Sequence, residues 1–196
     1  MAVGLGLGRF AISGRLLAAG VAASMLPDTD VLAFRFGIPY AAQFGHRGFT
    51  HSLVFAALVA VVGSVAHQLL RSRSVPTFLF LFVATASHGV LDALTNGGLG
   101  VAFLWPFSSE RYFAPIQFIR VAPLSVSRLL TVRGAGVLFS EIQWVWVPCV
   151  CLGVALAAVR RRRMAARFVA YDQHGVSRRP VAEQRLPLPD EGRQDP

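Results

Sequence analysis

The sequence predicts an all-α protein, a polytopic membrane bundle of about four transmembrane helices followed by a disordered, basic C-terminal tail. Three observations predict it. The 196 residues are 54% hydrophobic and only 15% charged, against roughly 25% charged in an average soluble chain, and the mean hydropathy is +0.54. The apolar residues gather into four runs of about the length needed to cross a hydrocarbon core roughly 30 Å thick. The positive charge sits at the ends of those runs rather than over a folded face: Arg160, Arg161, Arg162, Arg163 and Arg167 follow the last run directly. A formal charge of +9 spread over a surface would suggest nucleic acid. Arginines at a membrane flank are instead drawn to anionic lipid, by about 1 kcal/mol each, so membrane lipids are the expected partner and nucleic acid is not.

The first run, residues 10–26, is short and carries Arg15, which must snorkel toward one end. A cleaved signal peptide is its rival, with Ala22-Ala23-Ser24 as a cleavage context, but the further spans that follow favour an uncleaved helix. Runs 52–70 and 77–94 are nearly continuous in apolar character and are joined by Arg71-Ser-Arg73-Ser-Val-Pro76, which makes them a helical hairpin. Run 142–159 opens with Trp144 and Trp146 and stops at the arginine block, the pattern of interfacial aromatics and a cytoplasmic anchor. Cys149 and Cys151 lie two apart in that helix and point to different faces, so no disulfide is expected. The division read from composition is a membrane-embedded domain over 1–168 and a tail over 169–196 too polar to order itself. The positive-inside rule puts Arg9, the Arg71/Arg73 turn, the Arg160 block and the tail on the cytoplasmic side. Loops 27–51 and 95–141 then share the opposite face.

Those loops hold three polar clusters. Leu26-Pro27-Asp28-Thr29-Asp30 ends a helix with proline and offers two carboxylates at the membrane edge. His46-Arg47-Gly48-Phe49-Thr50-His51-Ser52 brings two imidazoles to the lip of the second run. In Ser87-His88-Gly89-Val90-Leu91-Asp92, His88 and Asp92 are one helical turn apart on one face and can grip one ion. A histidine near a helix end is more often hydrogen-bonded than a ligand. Three clusters on one membrane face, and ionisable groups that cost roughly 2.5–3.5 kcal/mol each inside a span, call for a shared cation. His46, His51, His88, Asp92 and Asp28 are therefore the expected metal ligands.

Imidazole with carboxylate and without thiolate suits zinc, with manganese or iron as alternatives, in an open hydrolytic site. Asp28 or Asp30 is then the candidate catalytic base. Arg47, Glu110 and Arg111 are candidate substrate contacts, since a guanidinium matches a phosphate bidentately. His67 falls at the far end of its run and is expected to be structural. The aromatic residues Phe103, Trp105, Phe107, Tyr112 and Phe113 are expected to anchor an interfacial loop. The rival class is a non-enzymatic membrane protein, a metal or proton carrier or a structural, stress-related partner. Run 142–159 contains no ionisable residue, which disfavours a carrier.

The three clusters, together with Trp105-Pro106-Phe107-Ser108, resemble the YdjM family of bacterial inner-membrane proteins, described as membrane-bound metal-dependent hydrolases, over about residues 15–160. More distantly the pattern is similar to the zinc-dependent phospholipase C and nuclease group, whose His-x-x-x-Asp helix pair His88 and Asp92 match. The resemblance implies an inner-membrane location and a phosphoester substrate such as a lipid head group. It also implies a histidine early in the first helix, and Met1 to Met25 contains none.

Overall fold

The computed structural model describes residues 12–122 and 130–176, the side chains of 167–176 excepted. The regular structure among them is helical: α1 (Gly14–Met25), a 3-10 segment (Pro27–Phe36), a 3-10 turn (Phe49–His51), α2 (Leu53–Val65), α3 (Ser74–Ala93), α4 (Val132–Glu141), a π-helical turn (Ile142–Trp146) and α5 (Val147–Val176). Two isolated bridges, Thr95 with Ile119 and Val101 with Tyr112, fold the loop after α3 back on itself. Met1–Ala157 form one compact unit, which contains the site, and Ala158–Pro196 a second. Of the second unit the structure describes the remainder of α5; the tail beyond 176 lies outside the described residues.

Local chemistry sets the helix starts. Ser13 caps α1 by accepting from the Leu16 amide, and Ser52 caps α2 by accepting from the Phe55 amide, each satisfying one of the orphan donors of a first turn. Pro27 stands at the start of the 3-10 segment, where its missing N–H matters least. Ile12, Leu16, Ala23, Ala60 and Leu81 from α1, α2, α3 and the residues just before α1 form a buried core, with Phe78 and Phe80 packed on it. The alanines let the backbones come close, which is how helices associate where lipid removes the hydrophobic drive.

Among the described residues three stretches are long and apolar enough to cross a membrane: Gly14–Phe36, Ser74–Ala93 and Val132–Ala166. The run expected over 52–70 is shorter. Its helix has 13 residues, about 20 Å at 1.5 Å per residue, and the rest is a tight turn. There the Ser64 hydroxyl pairs with Ser74 at 2.7 Å, His67 Nδ1 donates to the Ser72 carbonyl at 3.1 Å, and Arg71 takes a left-handed φ of 51°. Ser13 Oγ donates to the Leu70 carbonyl and Arg15 Nη1 to that of Leu69 at 3.1 Å, tying the start of α1 to this turn. The polar Ser64 and His67 thus complete backbone hydrogen bonds that a longer helix would have made itself. The last run is longer than expected, because α4, the π turn and α5 are continuous from Val132. Only 6% of its apolar window is buried, and Cys149 and Cys151 are free and exposed on it.

Gly89 fixes how α3 meets the loop before α2. A Cβ there would lie 3.0 Å from the His51 carbonyl oxygen and 3.2 Å from the Phe103 ring. Gly89→Val is therefore expected to push α3 off the Phe49–His51 turn, at a cost of about 1–3 kcal/mol, and to lower the thermal midpoint in detergent. Gly14→Ala, which meets nothing within 4 Å, will hold or raise it.

Candidate metal centre

Asp30 organises the loop that carries the two imidazoles. Its Oδ1 accepts from His46 Nδ1 at 2.6 Å. Its Oδ2 accepts from the Arg47 amide at 3.1 Å and the Thr50 hydroxyl at 2.7 Å, and lies 3.2 Å from His51 Nδ1. A carboxylate can only accept, so the hydrogen of each ring sits on Nδ1 and each Nε2 keeps its lone pair. The loop can coil this tightly because Gly48 has no side chain: a Cβ would fall 2.1 Å from the Gln43 carbonyl oxygen. Asp30, His46, Arg47 and His51 are all buried.

The free nitrogens turn toward the helix ends. His51 Nε2 stands 3.1 Å from Asp92 Oδ2 and 3.9 Å from Asp28 Oδ1. His88 Nε2 stands 3.2 Å from Asp28 Oδ1 and 3.7 Å from Asp92 Oδ2. His88 Nδ1 donates to the Ser24 carbonyl of α1 at 2.8 Å, which again leaves Nε2 as the acceptor. Four lone-pair atoms from three chain-distant segments therefore converge, all within 4.8 Å of one another. A tetrahedral ion with bonds of about 2.0–2.1 Å needs ligand atoms roughly 3.3 Å apart, and the four separations of 3.1–3.9 Å bracket that value.

The fit is tested by what is left over. His51 Nε2 and Asp92 Oδ2 are buried and have no hydrogen-bond partner, although they face each other. Two acceptors at 3.1 Å repel unless a cation or a proton lies between them. The residues present thus suit a divalent ion. A second grouping, Asp30, His46 and His51, has the same residue types, but every oxygen of Asp30 already receives a hydrogen bond. It serves better as the support that orients the rings. For His51, burial disfavours the charged ring, but Asp30 and Asp92 outweigh it and hold the pKa above the ordinary imidazole value.

The sequence-derived site residues thus separate. Asp28, His51, His88 and Asp92 form the cluster, while His46 is held one layer out by Asp30 and lines a cavity of about 520 Å³ beside it. Asp30, expected as a base, has its lone pairs occupied. Arg47 also lines the cavity, but its guanidinium is engaged with Asp92 Oδ1 at 3.1 Å, the Thr95 hydroxyl at 3.1 Å and the Gly97 carbonyl at 2.8 Å, so it aims Asp92 rather than greeting a ligand. Arg111 is placed away from the cavity lining, donating to the carbonyls of His46, Tyr40 and Ala42. Glu110 accepts from the Tyr112 hydroxyl at 2.8 Å on the surface. Arg120 and Glu141, which sequence reasoning did not single out, line the cavity. Arg120 sits in a loop without periodicity, and Glu141 before the tryptophan-flanked run reads as an ordinary helix-end charge.

A family model described as YdjM inner membrane protein matches residues 1–165. The Escherichia coli (strain K12) protein described as inner membrane protein YbcI is 50% identical over 149 residues, covering 76% of this chain and 86% of that protein. No solved structure matches the chain.

Two outcomes follow from the geometry. Asp30→Asn, which disturbs the support while leaving all four cluster residues, is expected to weaken zinc binding about 10–100-fold, read by competition with a chromogenic chelator. A raised His51 pKa stabilises the metal-free fold below the unfolded value of 6.5, and that stability is lost as pH climbs through the folded value. Zinc competes with the same proton, so its affinity falls as pH is lowered. The midpoint of metal-free protein should drop between pH 6 and pH 9, with the stabilisation by added zinc growing over the same interval.

Proposed function

The chain belongs to the YdjM family of inner membrane proteins, and from that premise we propose that it is a metal-dependent hydrolase acting on a phosphoester or lipid-related substrate at one face of the membrane. The observation that supports this most strongly is the facing pair of partnerless atoms, His51 Nε2 and Asp92 Oδ2, 3.1 Å apart. Asp28, His51, His88 and Asp92 are the ligands, and two carboxylates with two neutral imidazoles balance a divalent charge at a membrane edge, where an unbalanced one is costly. This donor set favours zinc over manganese or iron. A divalent ion held there supplies Lewis-acid polarisation of a phosphoryl oxygen and activation of a water.

The protein residues do the rest. Asp28 is 56% exposed at the side-chain level, so of the four it is the carboxylate that reaches solvent and can take the proton of an incoming water. His46, locked by Asp30 on the cavity wall, presents Nε2 there as an acceptor, and the proton that Asp28 takes from the water returns to the departing alcohol oxygen. The balance is one water and one phosphodiester giving a phosphomonoester and an alcohol. Arg47 holds Asp92 in its ligating rotamer throughout.

The same reading includes a multi-pass arrangement with the C-terminal tail in the cytoplasm. Arg15 and the Arg71 turn lie at the end of α1–α3 away from Asp28 and Asp92, and arginine-rich ends face the cytoplasm. The catalytic face is then periplasmic. In a Cys149→Ser/Cys151→Ser background, Ser109→Cys is expected to react with an impermeant maleimide from the periplasm and Gln68→Cys only after permeabilisation; the reverse pattern contradicts this.

Purification in mild detergent followed by metal analysis and a phosphodiester and lipid panel tests the function. The wild type is expected to carry about one zinc and to show chelator-sensitive turnover, with His88→Ala and Asp92→Ala losing the metal and at least about 100-fold of the rate. Stoichiometric metal without chelator-sensitive turnover would overturn the hydrolase and leave a metal-binding membrane protein.

A further inference from the structure

The cavity beside the cluster does not close on itself. A smaller one of about 210 Å³ is lined by Leu91, Asp92, Thr95, Ile119, Glu141, Val145 and Trp146. Four of these residues, Asp92, Thr95, Ile119 and Glu141, line the larger cavity too, so the two spaces share a wall at the cluster. The character of the lining changes from one to the other. On the cluster side it is ionic, with Asp28, His46, His88 and Arg120. On the far side it is made by Leu91 of α3 and by Val145 and Trp146 of the π turn, apolar groups of two stretches apolar and long enough to cross the bilayer. Leu91 and Trp146 are themselves 37% and 65% exposed. A π turn widens the helix locally, and such bulges recur at functional positions.

Arg120 stands on the ionic side of the wall. No carboxylate lies within ion-pair distance of it among the described residues, and its guanidinium makes no hydrogen bond there. Its backbone is fixed by the Ser140 hydroxyl at 3.0 Å. Its Nη1 lies against α4 where a Cβ on Gly136 would come within 2.7 Å, so the absence of a side chain at Gly136 makes room for the cation beside the cavity. The other guanidinium on that wall, Arg47, is already engaged. Arg120 is exposed, and a guanidinium on the cavity wall without a protein partner is free to take a phosphate bidentately.

We propose that the two cavities form one binding channel for a single membrane phospholipid, with its phosphate at Arg120 beside the cluster and an acyl chain in the Leu91–Val145–Trp146 groove, reached sideways from the bilayer. This rests on the hydrolase reading and names its substrate class. Arg120 is the group that reads the head-group charge, and the π turn shapes the chain groove. Glu141, common to both spaces, accepts a hydrogen bond from a hydroxyl or ammonium beyond the phosphate.

The test uses Trp146 as its reporter. The full chain in detergent is titrated with phosphatidylglycerol brominated on its chains and with diacylglycerol brominated in the same way, the signal of Trp146→Phe being subtracted. Phosphatidylglycerol is expected to quench with a midpoint at least about tenfold below that of diacylglycerol. Arg120→Gln should erase the difference and Arg120→Lys restore part of it. Val145→Phe, which fills the groove, should raise both midpoints about tenfold with zinc content unchanged. Equal midpoints for the two lipids in the wild type, an unaltered Arg120→Gln, or displacement of the quencher by inorganic phosphate as readily as by a short-chain phosphatidylglycerol would each overturn the channel. Zinc is measured on the same samples: a wild type that holds none defeats the metal-centre reading, while the quenching result still decides the channel.

Discussion

Asp30 ties the turn after α1 to the loop before α2 by accepting from His46 Nδ1, the Arg47 amide and the Thr50 hydroxyl, with His51 Nδ1 at 3.2 Å. Everything at the site depends on this one buried carboxylate. It decides which nitrogen of each ring carries hydrogen, and it presents His51 Nε2, bare, to the end of α3. Removing one partner of such a buried ionic network costs about 3–5 kcal/mol, because the groups left behind are charged and shut away from water. The three core-forming helices supply the second constraint. Their small-residue contacts bring the C-terminal ends of α1 and α3 together, and Gly89 lets the His51 carbonyl rest against α3.

A cluster of two carboxylates and two imidazoles is expensive at the rim of a bilayer unless something joins them. Arg47 neutralises one oxygen of Asp92 and leaves the other facing His51. The remaining imbalance is local and directional: lone pairs from Asp28, His51, His88 and Asp92 point into one small volume. A proton can bridge one pair of them, and against the opposing effect of burial Asp30 and Asp92 hold the His51 pKa above the ordinary imidazole value. Asp28, His51, His88 and Asp92 would together hold a divalent ion, and this difference in reach favours the metal reading over a proton relay.

Much of the site was legible because its signals are local. A proline followed by two carboxylates, two histidines before a capping serine, and a His-x-x-x-Asp pair on a helix each have a fixed geometry, and charge bias put them on one face. What the sequence did not yield depends on tertiary contact. Whether Asp30 is a free base or a saturated acceptor is decided by His46, Arg47 and Thr50, which lie 16 to 20 residues away. Arg111 looked available because its three carbonyl partners come from a loop some 70 residues earlier. Arg120 reaches the cavity from irregular backbone, for which hydropathy has no period, and Glu141 from the last residue of α4, where the π turn begins. The helix-one histidine implied by the family resemblance has no counterpart in the cluster. There α1 contributes the Ser24 carbonyl, which fixes the tautomer of His88.

His51 Nε2 and Asp92 Oδ2 face each other unpartnered, as two ligands of one ion would. X-ray absorption at the zinc edge of the reconstituted protein measures this directly. The expected shell is two imidazole nitrogens, two carboxylate oxygens and one exchangeable water oxygen at about 2.0–2.2 Å, with no sulfur, and it loses one imidazole in His51→Ala. A shell unchanged by that substitution would contradict it.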